Sequence, residues 1–449
     1  MTDTSLAVIT NAIREAAHDI KVGQDYDPLM ELIGDAHFVL IGEASHGTHE
    51  FYQERATITR RLIREKGFTA VAVEADWPDA YQINRYVRGI DRGTALDALA
   101  GFKRFPVWMW RNTVVLDFIQ WLRAYNLSLP SQARQTGLYG LDLYSLHASM
   151  EAVIQYLEKV DPEAAERARH RYSCFDHFGE DTEVYGYEAG FGLSRTCENE
   201  VVNELVELQR HREDYSSRDG HVAEDEFFFA EQNARLVRDA EVYYRTMFKG
   251  QVSSWNIRDT HMADTLDALV AHLNRLHGEG STKVVLWEHN SHLGDARATS
   301  MGWEGEINVG QLVRERHGND SRLAGFTTCT GTVTAASNWG LPHERKRVRP
   351  ALEGSYERLF HTTGVPNFLL NLSNAGSKVK NGLHGPRLER AIGVIYLPQT
   401  ERISHYFKAR LPDQFDAVLH FDETHALEPL DRTELWEQGE IPETFPSAL

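Results

Sequence analysis

Short apolar runs recur along the chain at 37–42 (HFVLIG), 69–75 (TAVAVEA), 137–142 (GLYGLD) and 283–288 (KVVLWE), each of strand length and bounded by polar or turn-forming residues. Further runs lie near 322–328, 368–372, 392–397 and 415–421. Runs without polar alternation predict strands covered on both faces, which requires helices above and below a sheet. One helix fits between the first two runs, so the opening predicts a right-handed βαβ unit with parallel strands. The expected fold class is α/β, a central and largely parallel β-sheet flanked by helices. From about 145 to 275 the pattern changes. Segments such as ENEVVNELVELQRHRE and AEDEFFFAEQNARLVRDAEVYYRTMF carry apolar residues every three or four positions, which predicts a large helical insertion over 145–275. There is no internal repeat, low-complexity tract or long Gly/Ser/Pro linker, so residues 1–449 are expected to form a single domain with the insertion inside it.

The formal net charge is −19, and no segment gathers Lys and Arg into a broad patch interleaved with aromatics. A nucleic-acid partner is therefore not expected. The start, MTDTSLAVITNAIREAAHDI, has neither a basic n-region nor an unbroken apolar stretch, and no transmembrane span follows, so neither a secretory signal nor a membrane partner is expected. The three cysteines, Cys174, Cys197 and Cys329, are odd in number and far apart. They suggest neither a disulfide framework nor a zinc-type cluster, and the expectation is a cytoplasmic protein with reduced thiols.

Chemistry gathers where the strands end. The first run leads into Glu43 and His46, the second into Glu74 and Asp76, the third into Asp142, and the fourth into Glu288 and His289. In open α/β sheets ligands bind beyond the carboxyl ends of the strands. A single strand-end carboxylate is usually just solvated; recurrence at four strands points to a site. Gly47 and Thr48 suggest a turn and a helix start, and Glu50 suits the first helical turn on dipole grounds alone. On a helical wheel Phe51, Arg55, Ile58 and Leu62 share one face, which buries the Arg55 guanidinium and demands an anionic partner, with Glu43 and Glu74 as candidates. A purely architectural ion pair fits Arg55 equally well. Arg258 repeats the pattern with Met262, Leu266, Leu269 and Leu273, while neighbouring Asn256 and Asp259 read most simply as helix-start caps. His289 and His292 bracket an asparagine after the fourth run; His289 is the stronger candidate because it follows a buried strand directly. The stretch KRFPVWMWRN places Trp108, Trp110, Arg111 and Asn112 behind Pro106, a combination suited either to core packing or to an apolar wall with hydrogen-bonding groups for a bulky ligand.

Together these residues suit hydrolysis without a Ser or Cys nucleophile. Glu43 would hold the His46 imidazole in one tautomer and strengthen it as a base toward water. Arg55, Arg258 or a protonated His289 would stabilise the oxyanion. No GxSxG elbow, HExxH helix or P-loop is present in these motifs, and no cofactor is expected. Glu43, His46, Glu74 and His289 are also acceptable Zn²⁺ or Mn²⁺ ligands, although two arginines nearby disfavour a dication, so metal-assisted hydrolysis is the runner-up. A non-catalytic small-molecule binder remains a third reading.

The sequence resembles the erythromycin esterase family, which includes relatives labelled succinoglycan biosynthesis proteins. The resemblance is carried by IGEASHGTHEF, VAVEADWPDA, FPVWMWRN, the N-x-R-D of WNIRDTHMA, LWEHNSHLGDA and SHYFKARLPDQFDAVLHFDETHALEPL, in order along almost the whole chain. It implies an α/β core whose helical insertion borders a deep cleft, and hydrolysis of an ester or lactone by His-activated water, as characterised members act on macrolide lactones. It further implies His46 as the base, Glu43 and Glu74 as its orienting and electrostatic partners, and Arg55 and His289 as further members of the polar cluster, with Arg258 at a recurrent family position.

Overall fold

The computed structural model describes residues 3–21, 23–130, 134–179, 181–216 and 221–439. Its strands are β1 (His18–Asp19), β2 (Phe38–Ile41), β3 (Ala70–Asp76), β4 (Gly137–Asp142), β5 (Val284–Trp287), β6 (Ser321–Ala336), β7 (His343–Val348), β8 (Asn367–Asn371), β9 (Arg387–Arg390), β10 (Tyr406–Ala409) and β11 (Ala417–Thr424). The main sheet runs β1-β8-β11-β6-β2-β5-β3-β4, with β7 joined to β6. From β11 to β4 every neighbouring pair is parallel; β8, β1 and β7 add antiparallel edges. This is the expected largely parallel α/β sheet. The first two predicted strands are nevertheless not neighbours, because β5, arriving after the long helical segment, slots between them.

Side chains alternate across a strand, and here both faces are apolar. Leu40, Ala72 and Leu286 enter one core together with the helices between β4 and β5. Ile41, Val73 and Trp287 enter the other, against the helices His49–Lys66 and Thr113–Ser128. That is why the runs read as continuously apolar. Between β4 and β5 the described residues form only helices, from Leu146–Val160 to the two long ones, His221–Met247 and Gln251–His277. None of the described helices is long and apolar enough to cross a membrane.

Three sequence expectations change. The run at 392–397 is not a strand: Ile392 and Ile395 make isolated bridges to Ser45 and Ala336, so the segment is a loop laid against β2's exit. β7 was not anticipated because HERKRV is charged and half-exposed, as an edge strand is. The cysteines are not all reduced: Cys174 and Cys197, 23 residues apart, are joined as a disulfide, and Cys329 alone is free. Helix packing brings the pair within a Cα separation of 6.0 Å, which linear spacing could not reveal. The thiol argument for a cytoplasmic location falls with it.

Two glycines near the helix His49–Lys66 matter for different reasons. Gly67 ends the helix at φ 71°, the left-handed conformation that glycine adopts without steric cost. Gly47 sits where a Cβ would lie 1.8 Å from the Thr334 carbonyl oxygen of β6. The backbone contacts Gly47 O to Thr334 N (2.9 Å) and Leu427 N (2.8 Å) hold it there. Gly47→Ala is therefore expected to cost about 2–4 kcal/mol, against about 1 kcal/mol for Gly67→Ala. Urea unfolding measures both, and equal costs would show that the Thr334 approach is not the constraint.

Candidate active site

β2 ends at Ile41, and the chain then turns through Gly42 to His46 before the helix begins at His49. This turn is pinned by backbone bonds on two sides: Asn290 N donates to Glu43 O (2.8 Å), Ile392 N to Ala44 O (2.8 Å), and His46 N to Ile392 O (3.2 Å). Pinning matters because it fixes two side chains. His46 Nδ1 lies 3.0 Å from Glu43 Oε1, and Arg55 Nη2 donates to Glu43 Oε2 at 2.8 Å, with all three groups buried. The guanidinium also stands over the Tyr52 ring at 4.3 Å. Arg55 thus finds the carboxylate its helix face demanded, Glu43 rather than Glu74, and acts from behind it, since Arg55 does not line the cavity.

The second group converges from β3, β4 and the helix Gln251–His277. Arg258 donates from Nε and Nη2 to the two Asp142 oxygens (2.9 and 2.7 Å) and from Nη2 to Glu74 Oε1 (2.8 Å). Glu74 Oε2 accepts the His289 backbone N–H at 2.9 Å. Burial penalises the Glu74 charge, but His292, His46 and Arg258 outweigh it and hold the carboxyl well below its usual range. His292 Nδ1–H reaches Asp259 (2.9 Å to Oδ1), and its ring stacks on Trp255 at 4.4 Å. Burial lowers the proton affinity of His292 while Asp259 and Glu74 raise it, with a net rise that Arg258, 3.0 Å from Nε2, opposes. A neutral ring accepts from Arg258 at Nε2; a protonated one would compete with Arg258 for Glu74. Asn256 and Asp259 are not helix-start caps: the helix begins at Gln251, Asn256 bonds the backbone of Gly305 and Ile307, and Asp259 orients His292.

His289 faces His46, with ring centroids 4.9 Å apart. Burial, and then the His46 ring, depress its pKa well below the usual histidine value, so it is neutral, and the protonated His289 that stood as one candidate oxyanion stabiliser beside Arg55 and Arg258 is not the form present. Its Nδ1 accepts the Ser291 N–H (3.2 Å) and lies 2.8 Å from Ser291 Oγ. The proton is therefore on Nε2, which has no hydrogen-bond partner among the described residues.

Both rings open into a cavity of about 710 Å³ that Glu74, Asp142, Arg258 and His292 also line. Of the loop Trp108–Asn112 only Met109 and Trp110 reach its wall. Trp108 is core. Arg111 turns outward to Asp431 (2.7 Å), and Asn112 caps the helix Thr113–Ser128 through Val115 N (2.8 Å). The residues given too little weight in the sequence are Asp142, Asp259 and His292. Their signal was present, a strand-end acid and a second histidine one helical turn after the first, but their partners are distant in the chain. Glu288, by contrast, is fully buried, and burial together with the neighbouring acids Glu74 and Asp259 pushes its pKa well above the carboxylate range and keeps it protonated.

A metal at Glu43, His46, Glu74 and His289 fits this arrangement poorly, because both oxygens of each glutamate and Nδ1 of each histidine already have protein partners. Only the two Nε2 atoms remain, and one carries a proton.

A sequence-family profile described as Erythromycin esterase matches residues 63–424. The chain belongs to the erythromycin esterase family. It is 23% identical over 431 residues to an Escherichia coli erythromycin esterase type II, covering 90% of this chain and 93% of the relative. A crystal structure of a succinoglycan biosynthesis protein superposes with a TM-score of 0.75 at 20% identity, covering 95% of this chain and all of that one. An erythromycin esterase mutant in its open conformation superposes with a TM-score of 0.64 at 20% identity, over 91% of this chain and 96% of that one. These likenesses establish the fold. The segment carrying Glu43, His46 and Arg55 precedes the matched span of the profile, so the reading of those residues rests on geometry.

His289 and Glu74 make stability pH-dependent with a definite sign. Both have folded pKa values below their unfolded ones, so their contribution is complete above the unfolded pKa and lost as pH falls through the folded one. The melting temperature is expected to decline on acidification from about pH 6.5, the His289 range, with the Glu74 loss beginning near about pH 4.5. His289→Gln is expected to flatten the upper part of the curve. Scanning calorimetry across this range decides it, and a wild-type curve that is flat down to about pH 5 would refute the assignment.

Proposed function

We propose that this protein is a hydrolase that cleaves a carboxylic ester or lactone by direct attack of water activated by His46. The observation that carries the reading is the pairing of two differently prepared imidazoles in one cavity. His46 is held by Glu43, leaving Nε2 as its base; His289 is neutral with its proton on Nε2. Family membership supports a hydrolase of this kind.

In the proposed reaction a water bound between the rings gives its proton to His46 Nε2 as its oxygen bonds to the ester carbonyl carbon. Glu43, its own charge balanced by Arg55, stabilises the imidazolium that forms. The carbonyl oxygen becomes an oxyanion and accepts from His289 Nε2–H. The tetrahedral species then collapses: the carbon–alkoxy bond breaks, the imidazolium returns its proton to the departing oxygen, and a carboxylic acid and an alcohol result. A lactone gives one hydroxy acid. No covalent enzyme intermediate forms. General-base catalysis contributes about 10²–10⁴-fold and an oxyanion donor about 10²–10³-fold. Arg258 holds Glu74 and Asp142 and so sets the electrostatic floor of the site rather than donating to substrate.

The apolar side of the cavity, with Phe105, Met109, Trp110 and Trp339, suits a bulky, partly apolar acyl or alcohol portion. Tested on a panel of esters and macrocyclic lactones, His46→Ala is expected to lose about 10³-fold or more in kcat/KM and Glu43→Gln about 10²-fold, both with unchanged circular dichroism. Single turnover in H₂¹⁸O is expected to place the label in the carboxylate product at once. Unchanged turnover by His46→Ala rules out the assigned base, and label first appearing only in later turnovers rules out direct water attack. A protein that binds these esters without forming product at any pH is a binder, not the proposed enzyme.

A further inference from the structure

Away from the cavity, Cys329, His361, His420 and Asp422 meet across β6 and β11. In the parallel register His420 pairs with Thr327, Phe421 with Thr328 and Glu423 with Thr330, so Cys329 and Asp422 are side by side. By the two-residue period of a strand, Cys329, His420 and Asp422 project to the same face. Over that face lies the short helix Tyr356–His361, which packs on both strands and ends with His361. None of the four residues lines the large cavity.

Donor atoms of Cys329, His361 and Asp422 lie within 4.8 Å of one another. His361 Nδ1 is 2.8 Å and His420 Nε2 3.4 Å from Asp422 Oδ1. A tetrahedral zinc ion with nitrogen and oxygen ligands at about 2.0–2.1 Å holds those ligands about 3.3 Å apart, so the His420–Asp422 spacing suits one, the His361–Asp422 spacing needs a small opening, and His420, which stands outside the group of three, must draw closer to the other donors. His420 has a further suitable feature: Thr327 Oγ1 lies 2.9 Å from its Nδ1. The threonine hydroxyl can donate to or accept from Nδ1: when it donates, Nε2–H bonds Asp422, and when it accepts, the Nε2 lone pair is freed toward Asp422 for an ion. The two softest positions, Cys329 and His420, are buried, while the His361 side chain is 42% exposed and provides a route for a hydrated ion. Arg390, buried on β9, is committed to the backbone carbonyls of Thr328, Cys329 and Arg349 and to Glu401.

We propose that Cys329 Sγ, His361 and Asp422 bind a divalent transition ion of the zinc class, separate from the hydrolytic centre, with His420 Nε2, which stands beside Asp422, moving in as the fourth ligand. Binding displaces the thiol proton and the hydrogen bonds among the other three. One thiolate, two imidazoles and one carboxylate complete a four-coordinate set with no open position, the pattern of a structural rather than a catalytic ion. It would fasten the helix Tyr356–His361 to both strands. The cysteines of this chain thus divide between a disulfide and a metal ligand whose companions lie 32, 91 and 93 positions further along the sequence.

The test uses the full-length protein, stripped with chelator and then titrated with Co²⁺. One equivalent is expected to give intense visible bands of tetrahedral cobalt and a near-ultraviolet thiolate-to-cobalt charge-transfer band, both discharged by Zn²⁺. Cys329→Ser is expected to lose the charge-transfer band. His361→Ala alters an exposed residue and tests the site even if the cysteine variant does not fold; Zn²⁺ affinity should fall about 10- to 100-fold, and the zinc-induced rise in melting temperature should disappear. Absence of the charge-transfer band in the wild type, or equal zinc affinity in the wild type and His361→Ala, overturns the proposal. Because the band reports thiolate ligation, it distinguishes this ion from one bound among Glu43, His46 and Glu74.

Discussion

Carboxylates carried to the buried ends of parallel strands must either take up a proton, as Glu288 does, or meet positive charge, and in this fold two guanidinium groups meet Glu43, Glu74 and Asp142. Arg55 reaches Glu43 from the helix that follows β2; Arg258 reaches Glu74 and Asp142 from a helix almost two hundred residues further on. Removing either cation would strand a buried anion, a change that typically costs several kcal/mol even where the intact pair adds little net stability. The ion pairs are therefore better understood as positioning devices. They keep acids charged in a dry place, and a charged acid, Glu43, is what orients His46.

That arrangement explains how two histidines 4.9 Å apart acquire opposite character. His46 has a carboxylate at Nδ1, which strengthens the opposite nitrogen as a base. His289 has a backbone N–H at Nδ1, which places its proton on the other nitrogen, while burial and the His46 ring keep the ring neutral. Identical side chains become an acceptor and a donor because of what touches the far side of each ring, the same separation of roles by environment that paired catalytic acids use. Glu74 favours protonation of His289, but burial and the His46 ring outweigh it.

The site is also a product of long-range chain closure. The loop at Ile392 holds the backbone at Ala44 and His46, Asn290 holds it at Glu43, and Thr334 limits the space at Gly47. Residues from the beginning, middle and end of the chain thus confine one short turn. A base whose reach depends on an unconstrained turn would lose its orientation readily, since a displacement of about 1 Å can cost 10²-fold in rate.

Hydrophobic periodicity by itself determined the α/β class, the helical stretch after β4 and most of the parallel strands, because burial on two faces leaves an unmistakable apolar run. It also located Glu43, His46, Glu74, Asp142 and His289, since strand ends are local features, and it marked Arg55 and Arg258 as buried cations from the helical wheel alone. Periodicity carries no information about which strand lies beside which, so the insertion of β5 between β2 and β3 emerged only in three dimensions. The same reason accounts for the pairing of Arg258 with Glu74 and Asp142, the outward turn of Arg111, the disulfide between Cys174 and Cys197, and the meeting of Cys329 with His361, His420 and Asp422. Each depends on distances between remote segments, which packing of the whole chain sets and no single segment encodes.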